Sequence, residues 1–322
     1  MRATFGLVAA VLMSAVAAQA QAPQKPIQIV VPFVPGASAD GIARIIANGL
    51  TVRTGRQVIV ENKPGGGGAI GLMAVAKAAP DGDTLGIGAA GATVINPHIP
   101  GAPANFDPLR DLAPVAKMME TPIIVVANPA AGPKTVRELV ERSKATPGGL
   151  SYGSTGVNSL QHLGMELLKK QTGANLVHVP YRGSTPAVTD VLGGQTLIAS
   201  VDLTSALPQI QAGKLTAVGV TTTKRTAIAP DIPTIAEGGV PGFGTSAGFL
   251  GLFAPAGTPA AVVKRLTAEV AAILAEPDAA AKVRLLAADV AYEDDATFAK
   301  FLASESQKWK EIIPTMNLTA SN

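Results

Sequence analysis

Short runs of β-branched and aliphatic residues alternate along this chain with stretches whose apolar positions recur at helical spacing. Residues 27–33 (IQIVVPF) lead to Pro35-Gly36 and predict a buried strand of a parallel sheet, because strands covered on both faces read as continuous apolar runs. Ile42, Ile45, Ile46 and Leu50 then mark one helical face, with Ser38 and Asp40 as candidate caps and Gly55 beyond the end. The unit repeats as an extended stretch at 57–61, a glycine loop, a helix over 70–79 and a strand over 84–88. Further on, residues 135–144, 159–171 and 185–192 read as helices, and residues 150–153, 176–180, 196–201 and 215–221 as strands. Strands alternating with helices predict an α/β architecture built on parallel sheets.

After residue 250 the texture changes. Thr258-Pro259 reads as an N-cap followed by proline at the first helical position, and Val262, Val263, Leu266, Val270, Ile273 and Leu274 form one stripe. Two further helices are expected, the last presenting Phe298, Phe301, Leu302, Trp309, Ile312 and Ile313. The extended segments 114–128 and 244–254 are longer than their neighbours and predict crossings between two domains. The expected division is residues 21–124 for the first part of domain 1, 125–246 for domain 2, and 247–322 for the return to domain 1. About 300 residues are more than one core commonly serves.

The first twenty residues predict export: Arg2 is a short positive region, residues 5–18 are apolar, and Ala18-Gln19-Ala20 fits a small-x-small cleavage site. The segment is too short to span a bilayer, so a signal peptide over residues 1–20 and a periplasmic mature protein are expected. Formal net charge is +3 with the basic residues scattered, and aromatic residues make up 4% of the chain, so the basic stripe and stacking platform of a nucleic-acid binder are missing. There is no cysteine, and the three histidines are far apart in sequence, so neither a thiolate nucleophile nor a metal centre is expected. No cofactor is predicted, and a monomer is expected.

Two kinds of motif invite a catalytic or nucleotide-binding reading. Gly244-Thr245-Ser246-Ala247-Gly248 matches G-x-S-x-G, yet His98, His162 and His178 all precede Ser246, opposite to the order of the hydrolase fold with that elbow. Gly66, Gly68, Gly71 and Gly86, Gly88, Gly91 match G-x-G-x-x-G, but neither opens a helix tightly after a strand, and they read instead as places where backbones pass closely. His162, inside a helical pattern, is a candidate for supporting a site from behind. An exported serine hydrolase using Ser246 or Ser154 is the competing functional class.

Two small-residue loops at strand-to-helix junctions carry the more coherent chemistry. The first runs Phe33-Val34-Pro35-Gly36-Ala37-Ser38-Ala39-Asp40, the second Gly153-Ser154-Thr155-Gly156-Val157-Asn158-Ser159. Each exposes amides at a helix start and adds hydroxyls, which suits an anion. Asp40 reads as an N-cap rather than a contact, since a carboxylate there would repel an anionic ligand.

The string Ile29-Val30-Val31-Pro32-Phe33 through Pro35-Gly36 to Asp40, then Val60-Glu61-Asn62-Lys63-Pro64-Gly65, Ala79-Pro80-Asp81-Gly82, Ile95-Asn96-Pro97, Val177-His178-Val179-Pro180-Tyr181-Arg182-Gly183, Leu192-Gly193-Gly194-Gln195, Ala212-Gly213-Lys214-Leu215 and Ala254-Pro255-Ala256-Gly257-Thr258-Pro259 resembles the Bug family. These are extracytoplasmic solute-binding receptors of tripartite tricarboxylate transporters, and the resemblance covers residues 25–314 in order. It implies a periplasmic binding protein-like fold, with two α/β domains and a ligand cleft between them that closes by hinge motion over a small carboxylate. It implies membrane transporter subunits as partners. The ligand-binding candidates are Phe33, Gly36, Ala37, Ser38, Ala39 and Asp40 from the first loop, Ser154, Thr155, Gly156, Asn158 and Ser159 from the second, and Tyr181 and Asp202. Ala37 and Ala39 stand where the family commonly has glycine and threonine, and Phe249 where it has tryptophan. Ser200-Val201-Asp202 replaces Phe-Asp-Asn, which moves the acid to the opposite strand face.

Overall fold

The computed structural model describes residues 25–100, 106–245 and 247–316; the expected signal peptide lies outside them. The chain opens with β1 (Ile27–Val31), α1 (Ser38–Thr54), β2 (Val58–Asn62), α2 (Ala69–Ala76) and β3 (Thr84–Ala89). A π-helical turn (Gly91–Ile95) and the short α3 (Pro108–Asp111) lead to β4 (Leu112–Thr121) and β5 (Ile123–Ala127). Then come α4 (Val136–Ala145), β6 (Leu150–Ser154), α5 (Leu160–Thr172), β7 (Leu176–Pro180), α6 (Ser184–Leu192), β8 (Ile198–Asp202), α7 (Leu203–Gln211) and β9 (Thr216–Val220). The chain returns through β10 (Gly248–Pro255), α8 (Ala260–Ala275), α9 (Pro277–Leu285), β11 (Asp289–Glu293) and α10 (Asp295–Ile312).

These strands form two sheets, ordered β11-β4-β10-β3-β1-β2 and β7-β6-β8-β5-β9. Both sheets are mixed, which corrects the expectation of parallel ones. β1 pairs in parallel with β2 and β3, and β6 with β7 and β8, because a helix returns the chain from each of these strands to the next in sequence. β10 runs antiparallel to β3 and β4, and β5 antiparallel to β8 and β9. Neither arrives by a crossover helix from a neighbouring parallel strand, so nothing obliges it to run parallel. β4 and β5 are one extended stretch interrupted at Pro122, the first half in one sheet and the second in the other. Gly248, at the start of β10, pairs with Thr121, so the two connections between the lobes lie side by side.

The burial pattern explains why β1 reads as a continuous apolar run. Ile29 and Val31 face a core shared with Ile42, Ile46 and Leu50 of α1 and with α8 and α9. Val30 points the other way, into a cluster with Leu72, Phe249, Phe253, Phe298 and Trp309. Phe249 meets Phe298 and Phe301 edge-on, at centroid distances of 5.8 and 5.1 Å. Leu160 and Leu163 of α5 join that same cluster, giving the two lobes a shared apolar seam.

Three local outcomes differ from the sequence pattern. α8 begins at Ala260 with Pro259 as N-cap, and the Thr258 hydroxyl donates instead to the Pro255 carbonyl at 2.8 Å. α7 was hidden by Pro208, which sits inside it. β11 is an edge strand with mostly exposed residues, so it lacks the apolar signal of the other strands. It is held by Lys117, whose ammonium contacts Glu293 at 2.9 Å and Glu120 at 2.7 Å and lies 4.3 Å from the Phe301 ring centroid.

Ile46 has no exposed surface in the first-lobe core. Ile46→Ala is expected to lower unfolding free energy by about 2–5 kcal/mol, read from the denaturant midpoint.

Candidate functional site

α1 starts without a side-chain cap. Its N-cap is Ala37, which has no group to offer the first-turn amides, so those of Ser38 and Ala39 are available to an external acceptor. Asp40, expected as the cap, occupies the third helical position. Its carboxylate accepts from the Gly36 amide at 3.2 Å, the Asn62 amide at 3.1 Å and the Arg44 guanidinium at 2.9 and 3.0 Å. Burial pushes this carboxyl up, and the bonds from Arg44, Asn62 and Gly36 outweigh it and hold the group below the usual carboxylate range. Asp40 therefore locks the loop and does not line the cavity described next.

Between the lobes lies a cavity of about 50 Å³. Phe33, Ala37, Ser38 and Ala39 line it from the first lobe, and Thr155, Ser159 and Asp202 from the second. Phe249 and Ile123 wall it at the crossing strands. The starts of α1, α5, α6 and α7 all reach it, through Ser38, Leu160, Ser184 and Asp202. Of these, α1, α6 and α7 carry no side-chain cap bond. Orphan amides and aligned helix dipoles make such a meeting point favourable to negative charge.

One side-chain hydrogen bond, from Ser38 to Asp202, joins the two lobes across this space, and neutral groups of the second lobe surround its acceptor. The Ser38 hydroxyl donates to Asp202 Oδ2 at 2.9 Å, and Gln161 Nε2 donates to Asp202 Oδ1 at 2.6 Å. The Thr155 hydroxyl donates to Gln161 Oε1 at 2.9 Å. Ser184 Oγ accepts from the Asp202 amide at 3.1 Å. Burial pushes the Asp202 carboxyl above its ordinary range, against the lowering effect of Ser38, Gln161 and Ser184. Val201, where the acid stands in the family pattern, is buried in the second-lobe core.

The remaining sequence candidates support the cavity or lie beside it. Tyr181 and Gly156, with Arg182, line a neighbouring cavity that shares Phe33, Gly67 and Thr155 with the first. The Tyr181 hydroxyl is spent on Asp190 at 2.6 Å. Gly36 turns the first loop, and Asn158 turns the second at a left-handed φ of 62°; neither lines the central cavity. The sequence reasoning missed Gln161, Ser184 and the glycines Gly67 and Gly91, which also line it. A Cβ on Gly67 would lie 2.6 Å from the Val157 carbonyl oxygen, and one on Gly91 would lie 3.1 Å from the Asn158 oxygen and Ser159 Cα. In these two glycine stretches the close approach of backbone to backbone expected from the sequence holds between the lobes at Gly67 and Gly91 and within the first lobe at Gly71, beside Pro32 and the Lys63 carbonyl, whereas Gly86 and Gly88 make room for the side chains of Val75 and Phe253.

Behind the second loop sits a histidine pair, His162 buried and His178 half-buried. His162 and His178 stack with centroids 3.9 Å apart. The Asn158 amide donates to His162 Nδ1 at 3.1 Å, which places the His162 proton on Nε2. Ser154 Oγ is 2.6 Å from His178 Nε2 and also bonds the Gly156 backbone. That is the spacing of a nucleophile and its base, but Ser154 is fully buried and lines neither cavity. Burial, reinforced by His162, pushes His178 down to about 3, where an imidazole is a poor base near neutral pH. Burial likewise lowers His162 to about 4. Ser246, the other candidate nucleophile, lies outside the described residues.

The sequence profile of the tripartite tricarboxylate transporter family receptors (TctC) matches residues 42–318. The chain belongs to this receptor family. A UPF0065 protein from the tcbD-tcbE intergenic region of Pseudomonas sp. strain P51 is 37% identical over 300 residues, covering 93% of this chain and 88% of the relative. Protein BugT of Bordetella pertussis is 34% identical, with 90% and 89% covered. Among solved structures, Rpa4515 of R. palustris with adipate superposes at a TM-score of 0.87 with 31% identity, covering 93% of this chain and 99% of that one. MatC of Rhodopseudomonas palustris with bound malate gives 0.83 and 29%, covering 91% and 100%. The fold is periplasmic binding protein-like, and among the described residues of this receptor no helix is long and apolar enough to cross a membrane.

Two outcomes are expected from this geometry. The unfolded chain protonates its histidines below about pH 6.5, whereas in the fold His162 stays neutral down to about 4 and His178 down to about 3. The unfolded state then binds more protons, so stability falls as pH drops from about 6.5 towards 4.5, with His162 alone contributing about 1.4 kcal/mol per pH unit. Urea titrations at pH 7 and pH 5 should show this slope, and His178→Gln should flatten it. Gly91→Val should weaken ligand binding roughly tenfold or more by calorimetry while leaving the circular dichroism spectrum unchanged, since its side chain obstructs only the approach of the opposite lobe.

Proposed function

We propose that this chain is an extracytoplasmic solute-binding receptor that captures a small carboxylate by hinge closure and presents it to the membrane subunits of a tripartite tricarboxylate transporter. The observation that carries this reading is the meeting of uncapped helix starts from both lobes on one cavity whose lining groups are neutral apart from Asp202. The amides of Ser38 and Ala39 grip a carboxylate from one side, and Thr155, Ser159 and Ser184 grip it from the other. Phe33 and Phe249 pack its carbon skeleton. The lobes correspond to the expected division, residues 21–124 with 247–322 and residues 125–246, with the boundary moved to Pro122 so that β5 stays whole in the second lobe, and they hinge where β4 meets β5 beside β10. The adipate and malate carried by the two structural relatives support a carboxylate as the ligand class.

Closure follows from differential contact. The open form admits the solute from water, and only the closed form engages it from both lobes, so binding shifts the equilibrium towards closure. No covalent step is required of any residue. The neutral Ser154–His178 pair stiffens the second loop, and Asp40 stiffens the first.

The test is thermal unfolding of the purified protein against a panel of mono-, di- and tricarboxylates. At about a thousandfold excess over Kd a true ligand adds about 4 kcal/mol of stability, which raises Tm measurably. The solute should be recovered unchanged by NMR after incubation. Turnover of any panel member, abolished by Ser154→Ala, would make the protein an enzyme instead.

A further inference from the structure

Asp202 is placed where an aspartate ordinarily caps its own helix, and it does not do so. It is the N-cap of α7, yet its side chain makes no cap bond and reaches into the cavity between the lobes. Its two carboxylate oxygens accept one bond each from neutral donors, Ser38 of the opposite lobe and Gln161. Each oxygen retains further acceptor capacity. Among the described residues lining this cavity there is no lysine, arginine or histidine to balance the charge, and Arg182 opens on the neighbouring cavity. The rest of the lining is mostly apolar or backbone, so a second anionic group brought close to Asp202 would meet it in a poorly solvated space.

We propose that Asp202 makes this receptor selective for zwitterionic solutes, in which a carboxylate lies at the helix starts and a protonated nitrogen faces Asp202. The inference rests on the carboxylate-receptor reading above and narrows its substrate class. The ammonium group supplies the missing cation and donates to the spare lone pairs of Asp202, and the carboxylate takes the amides of Ser38 and Ala39. A dicarboxylate of the same length would set like charges against each other at the Asp202 end. Asp202 thereby acts as a specificity-determining residue, while its bond to Ser38 helps hold the lobes together for any solute.

Calorimetric titration of length-matched pairs tests this: succinate against β-alanine, glutarate against γ-aminobutyrate, and adipate against δ-aminovalerate. The amino member of at least one pair is expected to bind roughly tenfold or more tightly than its dicarboxylate partner. Asp202→Asn should erase most of that preference. Ser38→Ala, which removes the inter-lobe bond but keeps the acid, should weaken both members of a pair alike and preserve their ratio. Dicarboxylates binding as tightly as the amino acids to the unaltered protein would overturn the inference and leave the receptor reading intact, whether or not the Asn variant folds. A preference that survives in Asp202→Asn would also overturn it. Failure of every member of both series to bind would remove the carboxylate reading and this inference together.

Discussion

The whole arrangement depends on two neighbouring strands that belong to both lobes. β4 and β5 are one extended run broken only at Pro122, and β10 starts beside the break, with Gly248 paired to Thr121. Main-chain hydrogen bonds tie these connections to each other, so the two lobes are joined along one seam. The seam also fixes the place of the cavity: Thr121, Ile123, Gly248 and Phe249 form its wall. A cleft in this position receives the helix starts that follow β1, β6, β7 and β8, since the loops after these strands all reach it.

The electrostatics of the site follow from what its helices lack. Ala37, Gly183 and Asp202 occupy N-cap positions without making a side-chain cap bond, at helix starts that reach the same cavity, although the first amide of α7, that of Leu203, is taken by the Pro122 carbonyl at 2.9 Å. α5 is the exception, its first turn closed by the Ser159 hydroxyl accepting from the His162 amide at 3.2 Å. A site built from amides and hydroxyls carries partial charges only, which favours an anion without the desolvation cost of a buried lysine or arginine. Asp202 is the one charged lining group and the one that breaks this pattern, which is why the proposed discrimination between solutes of similar length is placed there.

Much of this was legible in the amino-acid sequence because burial on both faces leaves a clear mark. β1, with Ile29 and Val31 on one core and Val30 on another, reads as an uninterrupted apolar run, and the small-residue loops that follow such runs disclosed the helix starts. The antiparallel course of β5 and β10 was not legible, since direction is set by which lobe a strand comes from and not by its own residues. α7 was concealed by Pro208, and β11 by exposure of most of its side chains. Asp40 was misassigned by one local rule: an acid near a helix start suggests a cap, but here Arg44, one turn later, and Asn62, on a neighbouring strand, claim it. Gln161 and Ser184 gave no signal in sequence, because a glutamine in a first helical turn and a serine after glycine are ordinary until distant chain segments meet.

The close approach of Gly67 to Val157, and of Gly91 to Asn158 and Ser159, sets main chain against main chain where the lobes touch. Side chains can change rotamer to absorb a misfit, whereas peptide planes cannot. If the chain closes over a carboxylate as proposed, a solute too long for the chamber would therefore act as a wedge and spread the lobes about their strand seam. Molecular length would be converted in this way into an angle, a quantity legible from the outer surface of the protein, far from the solute itself.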